Sequence, residues 1–343
     1  MRRHYLLALA VSALALAGCK TDDEFSSIGN TDLCGTSCPS PTTPDTDVKN
    51  GDTTIALEDG KLVSPAGGGE SKITITGGQA KYEIDTKGDS AGSWPTDQTL
   101  SENTSASGGD GLGAAEYREY ADQDTQLQVW GFRHSYAAQY RDLSGGLGSH
   151  QAYSFGGTKT TTMPTSVSAT FNGRYGSTAK ADNFVVPTSD TAEVINPNGV
   201  FASNGRSQID VNFGSGGVSG RLTPEQWRWR GDDGAWNYYD VPTETLYKPG
   251  ATLTGNQVLR PYHFDTDITF NGNVSGNTFR GSTQIEGFSS SPSSSPVYGA
   301  FFGPGAEETT GVFHVEGTVY DPTGSHFPAA DNGKGTLLHS GVF

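Results

Sequence analysis

The residues best suited to contact or chemistry cluster between Pro224 and Tyr262. Trp227, Trp229 and Trp236, three of the five tryptophans, lie close together with Arg228 and Arg230 interleaved, and Tyr238, Tyr239, Tyr247 and Tyr262 follow. The stretch far exceeds a hairpin loop of about 2–5 residues. Trp, Tyr and Arg are the residues that carry most binding energy at protein interfaces. One reading is therefore a ligand-binding loop formed by Trp227, Arg228, Trp229, Arg230, Trp236, Tyr238 and Tyr239. The other is an elaborated strand pair that only packs. Catalytic patterns fail one by one. Glu307 and Glu308 are adjacent, so on a strand they point to opposite faces, and no histidine or nucleophile accompanies them. Glu307 or Glu308 reads as a cap that accepts backbone N–H groups of the turn. Ser177-Thr178-Ala179-Lys180 has the Ser-x-x-Lys spacing but lacks a Lys-Thr-Gly strand and a Ser-Asp-Asn element, and it reads as a Gly-rich turn. The histidines are scattered, with no i,i+4 pair for zinc. Tyr and His can ligate haem iron, and His134, Tyr136 and Tyr140 beside Trp130 are the least unfavourable set for it. The sequence predicts no enzyme, no metal site and no resident cofactor.

The ends and the charge narrow the setting. Arg2 and Arg3 precede an apolar run from Leu6 to Leu16, too short for the ~20 residues of a membrane span. The run closes on Leu16-Ala17-Gly18-Cys19, which resembles the lipobox of bacterial lipoproteins. That resemblance implies a signal peptide over residues 1–18, with cleavage before Cys19 and acylation of its thiol and new amino group. Several acyl chains anchor a protein far more firmly than one. Lys20 follows the cysteine where an aspartate would resemble an inner-membrane retention signal, so the outer membrane is expected, on either its surface or its periplasmic side. Cys34 and Cys38 are a disulfide candidate; an exported location permits the bond, and the loop closed would be short. Residues 19–52, with Pro39, Pro41 and Pro44, read as a disordered tether. The chain carries 22 Lys and Arg against 38 Asp and Glu, for a net charge of −16, which disfavours nucleic acid as a partner. The expected partners are the membrane, through the anchor, and a host or envelope protein or haem; the chain is expected to be a monomer.

The elements that must hold these residues are strands. Glycine makes up 47 of the 343 residues, roughly double the usual ~7%, and hydrophobic residues only 33%. Helical bundles are disfavoured, because each interior glycine costs about 1 kcal/mol. Lys72–Thr76 and Lys81–Asp85 alternate at period two around Gly77-Gly78, and Leu127–Phe132 reads as a further strand. Ala114–Ala121 is the best candidate for a short helical turn. From Thr165 onward the pattern is a series of short strands punctuated by glycine, about eight in all. Asn-Gly and Gly-Asn pairs supply the positive φ of tight turns. Closure into a barrel would remove the exposed edges. Strands of about six to nine residues fall short of the ~9–11 of a membrane-spanning barrel. The apolar set is therefore expected to face inward.

The most specific motif is Tyr298-Gly299-Ala300-Phe301-Phe302-Gly303-Pro304-Gly305-Ala306-Glu307-Glu308, leading through Gly311 to Phe313. It closely resembles the signature in the barrel domain of transferrin-binding protein B and its relatives. Pro164–Arg174, Gln208–Leu222 and Ile268–Gly287 have the look of other strands of that barrel. The resemblance implies a structural role for Phe301, Phe302, Gly303, Pro304, Ala306, Glu307, Glu308, Gly311 and Phe313. It implies an all-β fold: an eight-stranded antiparallel soluble β-barrel over residues 161–343, preceded by a smaller β-rich handle domain over 53–160. It also implies a lipid-anchored binding protein that captures a host protein, haem or another solute without catalysis. The alternative is a structural or interaction lipoprotein of the envelope with no small ligand.

Overall fold

The structure, a computed structural model, describes residues 46–58, 61–62, 69–85, 99–103, 112, 114, 116–122, 125–142, 150–182, 200–230, 236–242, 245–248, 251–252, 266–290, 295–320 and 334–343. The signal peptide, most of the tether, Cys19, Cys34, Cys38 and Tyr262 lie outside these residues. Every regular element described is a strand. The first sheet holds β1 (Thr46–Glu58), β2 (Lys61–Leu62), β3 (Gly69–Thr76), β4 (Gln79–Asp85), β5 (Thr99–Glu102), β6 (Glu116–Asp122), β7 (Thr125–Gly131), β8 (Ser135–Asp142) and β9 (His150–Gly157). The second holds β10 (Ser168–Asp182), β11 (Val200–Asn212), β12 (Gly217–Arg230), β13 (Trp236–Asp240), β14 (Thr245–Lys248), β15 (Ala251–Thr252), β16 (Ile268–Ser275), β17 (Thr278–Ile285), β18 (Ser289–Ser290), β19 (Pro296–Phe302), β20 (Glu308–Tyr320) and β21 (Lys334–Val342).

The first sheet runs as an antiparallel meander whose ends meet on β1. The first half of β1 pairs with β3 (Thr46↔Thr76) and its second half with β9 (Ile55↔Tyr153). β1 therefore takes in residues 46–52, which composition assigned to the tether. The β3–β4 turn is Gly77-Gly78, both at positive φ (57° and 77°), as a type I′ hairpin needs. Ala114–Ala121 is no helical turn: residues 116–122 form β6, paired with β7 from Glu116↔Gly131 to Asp122↔Thr125. The two tyrosines decide it: three residues apart, they would share a face of a helix, yet Tyr120 enters the sheet's own core while Tyr117 packs on the opposite face.

In the second sheet, β10, β11, β12, β16, β17, β19, β20 and β21 pair in a closed ring of eight antiparallel strands. The strands run longer than their glycine punctuation implied: β10 has 15 residues, β12 has 14 and β20 has 13. Length therefore does not argue against a membrane-spanning barrel; orientation does. Phe270, Phe279, Phe301, Phe313 and Phe343 fill the interior, whereas Asn172, Asp210, Asn271 and Arg280 are exposed outside. A membrane barrel reverses this arrangement.

Glycine makes that interior possible. Gly220 faces Phe270 across one strand pair and Gly299 faces Phe279 across another, while Gly311 and Phe343 exchange backbone hydrogen bonds. In each case the ring lies where the glycine's Cβ would stand. The rings then stack: Phe270 and Phe279 at 6.3 Å and 8°, Phe270 and Phe343 at 5.5 Å and 24°. Each glycine removes a side chain from the tight side of the strand and the opposite ring covers the backbone it exposes. Gly299→Ala is expected to cost about 1–3 kcal/mol of unfolding free energy by overpacking. Gly305→Ala, with open space at its Cβ, is expected to be near neutral in the same urea titration.

Two buried histidines complete the wall. His339 faces inward with its Nε2 2.6 Å from Ser177 Oγ and its ring against Trp227 and Phe313. Ser177 is therefore a mid-strand residue of β10, not a turn residue. His314 points away from Phe313, as the alternation predicts, with its Nδ1 2.7 Å from Ser340 Oγ. Burial holds His314 down at about 4, and burial together with His314 holds His339 at about 3. Both lie below the unfolded value of about 6.5, so below that pH the unfolded chain binds protons that the native chain refuses. Stability is expected to fall as pH drops from about 6.5 toward 4, by up to ~1.4 kcal/mol per pH unit per histidine, and this dependence levels off below about pH 3. Urea unfolding midpoints across that range test it, and His339→Gln is expected to flatten the slope.

Candidate functional site: a clasp, a polar seam and an arginine–aromatic sheet extension

The signature motif joins the two sheets. β19 is buried on both faces. Phe301 points into the barrel core, while Tyr298, Ala300 and Phe302 point outward into a second core. That second core includes Ile55, Leu57, Trp130, Ala137, Tyr153 and Phe155 of the first sheet. Phe302 meets Phe155 edge-on at 6.3 Å. The connection between the sheets is tied to the same strand: Thr160 N–H donates to Phe301 O at 2.9 Å and Gly303 N–H to Thr158 O at 3.0 Å.

The two glutamates act differently from the expected cap. Glu308 Oε2 accepts the backbone N–H of His134 at 3.0 Å and the Ser135 hydroxyl at 2.9 Å, so it caps a turn of the other sheet. Ser135 has one proton and gives it to Glu308, so the Thr310 hydroxyl, 2.9 Å away, donates to Ser135. Glu307 Oε2 lies 2.9 Å from His134 Nε2. Gly303 (φ 83°) lets His134 close over the backbone: a Cβ there would lie 2.8 Å from His134 Cδ2. Ala306 is buried in the barrel core at φ 60°, a left-handed conformation that costs an alanine about 1 kcal/mol or more. His134 is thus part of the clasp, while Tyr136 and Tyr140 lie in the core of the first sheet, with Tyr140 stacked on Tyr82 at 5.2 Å. The structure does not bring the three together as a haem-ligand set.

Glu308→Ala is expected to destabilise the chain by about 1–3 kcal/mol, because it leaves the His134 N–H and the Ser135 hydroxyl without their acceptor. Glu307→Ala, which removes a half-exposed pair, should cost about 0–1 kcal/mol. Hydrogen exchange at residues 132–135 is expected to quicken in the first variant and not in the second.

Beside the apolar contact the shared face turns polar. Gln126 and Gln128 on β7, Gln139 and Arg141 on β8, and Gln151 and Tyr153 on β9 follow a period-two pattern. Gln139 Nε2 donates to the Tyr153 hydroxyl at 3.0 Å and to Thr178 Oγ1 on the barrel at 3.1 Å, and Tyr153 donates to Gln151 Oε1 at 2.9 Å. Burial pushes the Tyr153 hydroxyl up to about 12, so it stays protonated as a donor. Burial pushes the Glu119 carboxyl up, but hydrogen bonds from Gln128, Gln126, Tyr117 and Asn103 outweigh it and hold the group below its ordinary value. The sequence reading missed this network; the alternating glutamines were its one visible signal.

The arginine–aromatic segment is a sheet extension rather than a loop. β12 pairs along Gly217–Leu222 with β16, and beyond it continues as Gln226–Arg230 paired with β13. β14 and β15 add to that edge in turn. The register sets Trp227 opposite Tyr239, Arg228 opposite Tyr238, Trp229 opposite Asn237 and Arg230 opposite Trp236. Residues opposite each other in an antiparallel pair share a face. Neighbours along a strand point to opposite faces, so Trp227 and Arg228 part. Trp227 is buried in the barrel core, edge-on to Phe201 at 6.3 Å. Trp227 thus continues the barrel interior, and Arg228, half-buried, continues the outer wall.

Residues 163–332 match the family model of the C-lobe and N-lobe beta barrels of Tf-binding protein B. Among solved structures, a Trp-176-Ala mutant of Transferrin Binding Protein B from Haemophilus parasuis Hp5 is 14% identical, with a TM-score of 0.36, over 86% of this chain and 44% of that one. A protein described as a surface lipoprotein is 13% identical, with a TM-score of 0.33, over 85% of this chain and 99% of that one. Isotype 1 transferrin binding protein B from serogroup B Neisseria meningitidis is 15% identical, with a TM-score of 0.31, over 80% of this chain and 58% of that one. This chain thus spans about half the length of the named transferrin binding proteins. No curated protein matches the chain.

Proposed function

We infer that this chain, whose barrel belongs to the transferrin-binding protein B-like family, is an outer-membrane lipoprotein that captures a host protein. Cys19 carries the acyl anchor, and residues up to Thr46 space the folded part from the membrane. The contact surface is the β12–β15 extension, with Arg228, Arg230, Trp236 and Tyr238 as its contact residues. The observation that carries this reading is the register of β12 with β13, which sets Arg228 opposite Tyr238 and Arg230 opposite Trp236 on a strand continuous with the barrel. Such residues bind with little loss of side-chain freedom when the backbone beneath them is fixed. Trp227 is the anchor of the strand and not part of the contact. The chain's net charge of −16 favours a partner that presents a basic patch to the rest of the surface.

Because the matching family model is that of the Tf-binding protein B barrels, host transferrin is the first ligand to test, followed by whole serum. The full lipoprotein in outer-membrane vesicles is expected to retain a host protein specifically. The paired variant Arg230→Ala with Trp236→Ala is expected to weaken retention about tenfold or more with an unchanged melting temperature. Trp227→Ala is expected to lower the melting temperature through a core cavity costing about 3–5 kcal/mol. Vesicles that retain nothing specific, or a paired variant that binds as wild type does, would overturn the assignment.

A further inference from the structure

The polar seam holds one buried cation that no side chain among the described residues meets in an ion pair. Arg141 is 7% exposed. Its Nη2 donates to the side-chain oxygens of Gln126 and, at 3.5 Å, Gln128, both neutral amides. Its Nε is buried and makes no hydrogen bond. No carboxylate among the described residues lies within ion-pair distance of it. Glu119 is reached only through Gln128, whose Nε2 donates to it at 2.9 Å. That carboxylate is otherwise engaged, accepting from the Tyr117 hydroxyl at 2.8 Å and Asn103 Nδ2 at 2.7 Å.

A second cation stands nearby across the seam. Arg228 on β12 lies opposite Ala202 on β11, which lies opposite Thr178 on β10, and Thr178 receives Gln139, two residues before Arg141 on the same face of β8. Burial, followed by the charge of Arg228, lowers the Arg141 guanidinium from its ordinary value, against the opposing pull of Tyr153, Glu119 and Tyr117. Burying a cation with no opposite charge in contact is costly. A water molecule could satisfy Nε but would bring no opposite charge into contact. The guanidinium fork fits two oxygens of one oxyanion side by side.

We propose that the seam between β8 and β12 binds a small oxyanion, a free carboxylate, phosphate or sulfate ion, held by Arg141 with Arg228 as the second cation. The burial of Arg141 selects a small ion over a macromolecule, and the half-buried Arg228 marks the side from which it enters. The site borders the contact residues of the sheet extension through Arg228, whereas Arg141 is not among them, so the Arg141 variant reports on this site whether or not a host protein binds.

The test is thermal unfolding of the full chain in sodium phosphate, sulfate or citrate, each against sodium chloride at matched ionic strength. Excluded salts raise a melting temperature without saturation, whereas a site saturates. Wild type is expected to show a saturable rise with at least one of the three anions. Arg141→Gln is expected to lose the saturable part. Arg228→Gln is expected to shift its midpoint about tenfold toward higher concentration, a change of ~1.4 kcal/mol. Arg280→Gln, on the exposed barrel wall, is expected to match wild type. If Arg141→Gln fails to fold, Arg228→Gln carries the comparison. A rise that never saturates, or a saturable rise of equal midpoint in all variants, would overturn the proposal.

Discussion

The structure depends on one strand having no solvent side. β19 gives Phe301 to the barrel interior and Phe302 to the core shared with the first sheet, so adjacent residues serve two hydrophobic clusters. A strand buried on both faces has to satisfy its backbone entirely through neighbours. β17 and β20 supply the ladders, and the connection at Thr158–Thr160 supplies the end. The turn that follows cannot wander, because His134 and Ser135 are held to Glu308 and His134 lies over Gly303. The same short segment thus terminates a strand, fixes the neighbouring sheet and seals a core.

Much of this was legible in the chain. Alternation at Lys72–Thr76, Lys81–Asp85 and Ile268–Ile285 marks strands, and the glycine pairs mark their turns. Closure followed from the number of strands and the need to remove edges. What stayed hidden has identifiable physical causes. Glycines within β10 and β12 look like breaks, yet in the barrel they are positions over which rings or hydroxyls lie, so the strands ran longer than expected. Ala114–Ala121 has residues that tolerate helix, and only the destinations of Tyr117 and Tyr120 show the period of two. Glu307 and Glu308 were visible as a motif, but their partners His134 and Ser135 are about 170 residues away, and no local pattern reports such a contact.

The candidate contact surface was half legible. Composition located the arginine–aromatic segment but treated it as a single cluster. The register divides it. Trp227 is committed to the barrel, whereas Arg228 and Arg230 stand opposite Tyr238 and Trp236 in the register. Arg141 was not visible at all, because a lone arginine in a strand reads as an exposed polar position. It becomes notable only once a second sheet covers it.

β1 has a mechanical consequence. Its first half is bonded to β3 and its second half to β9, so the strand that leads out of the fold is gripped in turn by two neighbours. A load on the chain ahead of Thr46 acts along the strand axis, while antiparallel hydrogen bonds lie across it. Such a load meets the bonds together in shear rather than peeling them one at a time. The fold is therefore built to resist force applied through the start of β1, and to yield more readily to a pull across the sheet.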